Sequence, residues 1–218
     1  IEANPAKIRA LSQLDIPKDL KQIQKLTGCM AALSRFISRL GEKAVPLYRL
    51  LWHTEHFEWT DAATAGLEEI KAILATNLVL AAPNTGEPML LYIAATHQVV
   101  SAVLVVEREA DGHKFPLQKP VYYVSTVLTP CKSRYPHYQK IAYAMFMASR
   151  KLRHYFQECS ITVASEVPLN DIINNRDATG RIAKWAIELL PFDITYKPRR
   201  AIKSQVLADF IAEWTEAE

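Results

Sequence analysis

Glycine is scarce in this chain, with six in 218 residues, and none of them falls into a glycine-rich phosphate loop. Nucleotide chemistry of the P-loop or dinucleotide-fold kind is thereby excluded. Cysteine is scarcer still: Cys29, Cys131 and Cys159 are odd in number and far apart. They make neither a disulfide framework nor a CxxC metal knuckle, which points to a reducing compartment inside the cell, cytoplasm or nucleus. Apolar runs stay well short of the roughly 18 residues that a membrane helix needs, so a membrane partner is not expected. Neither charge sign dominates, since 26 Lys and Arg against 23 Asp and Glu leave +3. Affinity for nucleic acid would therefore have to come from local clusters rather than bulk charge. The first ten residues show no basic flank followed by an apolar core, as a signal peptide would, and the chain opens without Met, as a piece of a longer protein would. The six histidines include no HxxxH pair, which argues against zinc, and Ser101, Ser125 and Ser165 have no nucleophile-elbow context.

Half of the chain is apolar and 22% is charged, a globular composition. Over residues 18 to 52 the positions Leu20, Ile23, Leu26, Met30, Leu33, Phe36, Ile37 and Leu40 recur in steps of three and four, which predicts helix. Gly28 and Gly41 leave open one helix or two. Pro46 is expected in the first turn of a further short helix, Leu47 to Trp52. Thr60 or Asp61 is a predicted N-cap for a helix running to about Leu74, and Asn84 to Pro88 is a turn cluster that marks a boundary. Beyond it, Met89 to Ala95, Val99 to Val106 and Pro120 to Ser125 read as an antiparallel meander, the last two joined by a polar loop from Glu107 to Lys119. Ser133 to Tyr155 has helical spacing. Ile161 to Ala164 is a strand, Leu169 to Ile173 and Gly180 to Leu190 are helices, Phe192 to Tyr196 is a fifth strand, and Lys203 to Trp214 is a closing helix. The pattern predicts a mixed α/β sheet.

These phrases together resemble one family. Ile1 to Pro5 with Lys7-Ile8 resembles the end of the palm in reverse transcriptases of gypsy-type LTR retrotransposons. Leu26-Thr27-Gly28 through Arg35-Phe36-Ile37, then Pro46-Leu47 and Leu50-Leu51, resembles their thumb. Phe57-Glu58-Trp59-Thr60, the helix from Leu67 to Leu74 and Val79 to Pro83 resemble the connecting segment. Tyr92 to Leu104, Val121 to Ser125, Arg134-Tyr135, Leu152 to Phe156 and Ala208-Asp209-Phe210 resemble the tethered RNase H-like domain. The wording is nearest to plant elements. The resemblance implies three segments: residues 1–53 as the end of the palm and thumb-like helices, 54–88 as connection, and 89–218 as an RNase H-like domain. The expected architecture is α/β, a helical thumb and connection followed by an RNase H-like five-stranded mixed sheet with flanking helices. The element order read from periodicity agrees with it.

RNase H chemistry is two-metal hydrolysis, with two divalent cations about 3.5–4 Å apart stabilising the attacking water and the leaving oxygen. Mg²⁺ takes oxygen ligands, so several carboxylates must converge. The resemblance implies four such positions, and this chain fills them unevenly. Ala94 stands at the first and has no oxygen to offer. Gln139 stands at the second with a neutral amide. Glu166 stands at the third, one methylene longer than aspartate, and Asp209 alone matches outright. Glu166 and Asp209 are the residual catalytic and metal-binding candidates. No cofactor is expected, except Mg²⁺ if the site were active.

Basic side chains do cluster. Arg150, Lys151 and Arg153 share one helical stretch, Lys197, Arg199, Arg200 and Lys203 lie around the last strand, and Lys18, Lys21, Lys25, Arg35 and Arg39 fall in the thumb-like part. Such clusters position phosphates without reading sequence, although charge runs are also common on solvated faces. Three readings stay open. The first is a non-catalytic reverse transcriptase fragment that supports the palm and fingers of its own polyprotein and holds RNA–DNA hybrid. The second is an active Mg²⁺-dependent hybrid ribonuclease. The third is a module recruited by a host protein.

Overall fold

The computed structural model describes residues 1–52, 57–76, 79–109, 116–175, 177 and 179–198. Four helices come first: α1 (Pro5–Ser12), α2 (Leu20–Leu33), α3 (Leu40–Trp52) and α4 (Asp61–Leu74). A five-stranded sheet with further helices follows: β1 (Met89–Ala95), β2 (Val99–Arg108), β3 (Leu117–Val127), α5 (Pro130–Ser133), α6 (His137–Lys151), α7 (Arg153–Glu158), β4 (Ile161–Ser165), α8 (Leu169–Ile173), α9 (Gly180–Leu189) and β5 (Ile194–Pro198). Strand order is β3-β2-β1-β4-β5. The first three strands are antiparallel, and β4 and β5 run parallel to β1. This is the RNase H-like mixed sheet that the sequence implies.

The helical half folds for local reasons. Asp19 caps α2 by accepting the Gln22 N–H at 2.8 Å, and Ile23, Leu26, Met30 and Leu33 are buried along one stripe. Gly28 does not break the helix; it lies on the exposed side with open space around it. The break comes later, in a 3₁₀ turn from Ser34 to Phe36 and at Arg39, whose φ of 53° is left-handed. Helix α3 then starts at Leu40, so Pro46 lies in its interior and not in a first turn. The cost of the lost N–H is offset by packing: at Gly66 of α4 a Cβ would come within 2.5 Å of the Lys43 carbonyl oxygen, so glycine lets α4 lie directly on this stretch. Thr60 is the cap of α4 and accepts from Ala63. Helix α1 has no counterpart in the sequence reading, because its single buried side chain, Leu11, makes no periodic stripe.

Side chains alternate across the sheet. Leu91, Ile93, Ala95, Val100, Ala102 and Leu104 face α6, while Leu90, Tyr92, Val103, Val105 and Ala164 face the other way. Two strands outrun their expected ends, because Glu107 pairs with Gln118 and Arg108 with Leu117 across the supposed loop. Polar residues on an edge strand look like loop when read along the chain. Pro120 sits beside the register shift between Leu104 and Val105, where β3 can tolerate a missing donor. β5 begins at Ile194, two residues later than expected, because Phe192 packs edge-on to Phe156, ring centres 5.5 Å apart, and not in the ladder. The expected helix from Ser133 to Tyr155 is three pieces, α5 to α7. The expected closing helix, Lys203 to Trp214, lies outside the described residues.

The two halves meet across the sheet face opposite α6. Ser125 Oγ accepts the Gly41 N–H at 2.9 Å and lies 3.0 Å from Ser101 Oγ. The Arg35 guanidinium stacks over the Tyr122 ring at 5.0 Å, and Arg49 donates to Gln98 at 3.1 Å. No helix among the described residues is long and apolar enough to cross a membrane.

Candidate functional site

Three elements converge at one end of the sheet: the C-terminal ends of the parallel neighbours β1 and β4, and the first turn of α6. Tyr92 pairs with Ala164, so two residues further on each strand bring Ala94 and Glu166 to neighbouring places. Ala94 is 2% exposed and pairs with Ser101, on the face that meets α3. It presents a methyl group at the position for which the family resemblance implies a ligand oxygen. Gln139, in the first turn of α6, is half-buried, and its carbonyl oxygen lies 3.4 Å from an Arg181 nitrogen of α9. Glu166 is exposed just past β4, and its Oε1 lies 2.7 Å from His137 Nε2. Asp209 lies outside the described residues.

Cations have gathered around the same end. Lys140, only 7% exposed, donates to the His97 carbonyl at 3.1 Å in the β1–β2 turn, and burial pulls its ammonium pKa below the usual lysine range. His137 occupies the neighbouring carboxylate and Arg181 the amide. A pair of Mg²⁺ ions needs several anionic oxygens in near-octahedral arrays. An alanine, an amide turned to arginine and a carboxylate engaged with histidine do not fit that requirement. Among the described residues no group of three or more His, Cys, Asp and Glu side chains could hold a metal ion.

The basic candidates divide into two kinds. Lys18, Lys21 and Lys25 are exposed, Lys18 just before the Asp19 cap and Lys21 and Lys25 one turn apart on α2. Arg35 and Arg39 are half-buried and turned to protein partners, Arg35 between the Phe36 and Tyr122 rings and Arg39 in an ion pair with Glu42. Arg150, Lys151 and Arg153 are exposed around the end of α6 and the start of α7, and Lys197 is exposed on β5. Arg199, Arg200 and Lys203 lie outside the described residues. Sequence reasoning passed over His137, Lys140 and Arg181, because none belongs to a run of charge. Only the contact between α6, α9 and the strand ends joins them.

With this geometry in view, known proteins are informative. Residues 59–163 match the family described as the RNase H-like domain found in reverse transcriptase. The chain is 26% identical to the retrovirus-related Pol polyprotein from transposon opus of Drosophila melanogaster, over 97% of this chain and 22% of that protein. It is also 26% identical to the transposon Tf2-3 polyprotein of Schizosaccharomyces pombe, over 85% of this chain and 14% of that protein. The chain thus spans less than a quarter of the length of these curated relatives. Among solved structures, the foamy viral protease-reverse transcriptase in complex with RNA/DNA hybrid superposes with a TM-score of 0.74 at 21% identity, over 91% of this chain and 27% of that one. The same viral protein in complex with dsDNA gives 0.71 at 22% identity, over 91% of this chain and 42% of that one. Over residues 59–163, then, the chain is similar to the RNase H-like domain of reverse transcriptases, and over most of its length to segments of transposon Pol polyproteins.

Proposed function

We propose that the chain is the C-terminal part of a reverse transcriptase from a plant gypsy-type LTR retrotransposon, and that its RNase H-like domain holds nucleic acid without cutting it. In this reading residues 1–53 close the palm and form the thumb, 54–88 are the connection and 89–218 the RNase H-like domain. The motif wording supports the retrotransposon assignment. The palm and fingers of the same polyprotein are the first partner and RNA–DNA hybrid the second, in the cytoplasm or nucleus. The viral relatives bound to hybrid and to dsDNA support a nucleic-acid partner for this fold.

The observation that carries the non-catalytic reading is the donor set at the strand ends. Two-metal hydrolysis needs anionic oxygen from several elements at once. Here β1 offers a methyl group, α6 offers an amide facing Arg181, and the acid after β4 is engaged by His137. The seam between the halves supports a scaffolding role, since Gly41, Arg35 and Arg49 fix the helices on the sheet by specific contacts.

Incubating the full chain with labelled RNA–DNA hybrid in Mg²⁺ and, separately, in Mn²⁺ tests the reading. Intact RNA is expected in both. Turnover that vanishes on Asp209→Asn would refute it in favour of the ribonuclease.

A further inference from the structure

Helices α6 and α9 lie side by side and run in the same direction. Gln139 meets Arg181, Phe146 meets Trp185, and Arg150 approaches Glu188. Between them Tyr135, Tyr143, Phe146 and Trp185 form one aromatic cluster, with ring centres 5.6–6.4 Å apart. Three cations cap it. Arg181 lies 4.2 Å over Tyr135, Lys132 lies 4.7 Å over Tyr143 and donates to its hydroxyl at 2.8 Å, and Arg150 lies 5.5 Å over Phe146. The rings are tied into the core of the sheet domain, with Trp185 only 7% exposed, so the cations rest on a fixed floor.

That arrangement differs from an ordinary charged surface. A lysine or arginine in solvent must lose side-chain freedom when it grips a phosphate. A guanidinium already stacked on a ring has lost it, while its in-plane N–H groups still point outward as a fork that matches phosphate oxygens. Arg181 and Arg150 are both exposed. Among the described residues, the acid paired with Arg150 is Glu188, 3.9 Å away and too far for a hydrogen bond, and the hydrogen-bond partner of Arg181 is the neutral Gln139. From Gln139 to Arg150 the α6 axis rises about 16 Å at 1.5 Å per residue. That is about four to five phosphates of one strand at 3.4 Å of rise each.

We infer that Arg181, Lys132 and Arg150, held on the rings of Tyr135, Tyr143 and Phe146, form a metal-free ridge that grips the sugar–phosphate backbone of a nucleic-acid duplex. The inference rests on the hybrid-binding reading above and gives it a place. At one end of the ridge, Arg181 supplies fixed positive charge beside Gln139, where the family resemblance implies a metal-binding carboxylate.

The test is fluorescence anisotropy of the full chain with a labelled RNA–DNA hybrid, titrated across salt concentrations with EDTA present. Each of Arg181→Gln, Lys132→Gln and Arg150→Gln should lower the slope of log affinity against log salt by about 0.9, equivalent to roughly eightfold weaker binding at 0.1 M salt. Lys71→Gln on α4 should change nothing. Arg181→Lys keeps the charge and loses the fork, so it should weaken binding while leaving the slope nearly intact. It also serves as the reporter if Arg181→Gln lowers the melting midpoint into the assay range. Wild-type binding with unchanged slopes in the Gln variants would overturn the ridge and leave the hybrid-binding reading standing. No wild-type binding even at low salt would bring down both. Displacement by polyglutamate as effective as by unlabelled hybrid, or loss of binding in EDTA, would also overturn the ridge.

Discussion

The helical half and the sheet half are held together internally by the same force and differ in how they use polar groups. Each has its own buried cluster: Ile23, Leu26, Met30, Leu33, Leu67 and Ile70 in the first, and Leu91, Leu104, Ile141, Met145, Phe156 and Val163 in the second. Between them Tyr123 of β3 packs against the helical cluster, and the other contacts are polar and particular, with a glycine N–H on a serine, an arginine on a tyrosine ring and an arginine on a glutamine. Apolar burial gives each half its stability and is indifferent to orientation. Directional hydrogen bonds at the seam add less energy and fix one mutual placement.

The largest expected effect removes a core side chain from one half at a time. Phe156→Ala should cost the sheet half about 3–5 kcal/mol and Leu26→Ala the helical half about 2–5 kcal/mol. Denaturant melts followed by hydrogen exchange would show whether the loss stays within the mutated half; equal loss of protection in both would mean that the seam couples them fully.

The seam itself is most directly broken at Gly41. A Cβ there would lie 2.5 Å from Ser125 Oγ and 2.9 Å from Val99 Cγ1, closer than such atoms approach. Gly41→Ala should therefore destabilise by roughly 1–3 kcal/mol, as overpacking does. Ser125→Ala in the same chain should restore part of the loss, because it removes the nearer atom and leaves the valine. A double-mutant cycle reads that coupling, and simple additivity would argue against a tight seam.

A smaller effect belongs to the turn that precedes β1. Glu87 receives two hydrogen bonds from Arg108, at 2.9 and 2.8 Å, and the Arg108 fork also reaches the Ala82 carbonyl at 2.7 Å. Those bonds push the Glu87 pKa down to about 2 from 4.5. A carboxylate depressed in the folded state contributes stability that is fully present above its unfolded pKa and fades as pH falls through the folded one. The melting midpoint should then decline between about pH 4.5 and pH 2, and Glu87→Gln should flatten that part of the profile. An unchanged acid limb in the variant would show that other carboxylates govern it.

Much of the fold was legible along the chain. β1 and α8 have the expected ends, and α4 has its expected cap, because alternation, turn residues and capping are local signals. Helix α3 was not, since Pro46 argues for a helix start at Leu47, whereas burial of Leu40, Ala44 and Leu47 and the close fit of Gly66 against Lys43 go with one helix through the proline. Of the candidate site, only the family resemblance implied a deficit at Ala94 and Gln139. The partners of Glu166 and Gln139 come from residues 29 and 42 positions away in the chain.

By itself, then, the amino-acid order determined most of the segments that are strand or amphipathic helix, because those properties depend on near neighbours, while the set of ligand positions was only what the family resemblance implied. Tertiary packing decided the rest. It turned Arg35 and Arg39 inward to protein partners, set Lys140 and Arg181 at the strand ends, and laid three cations on one aromatic floor. Stacking and burial depend on which distant side chains share a surface, and no period along a chain encodes that.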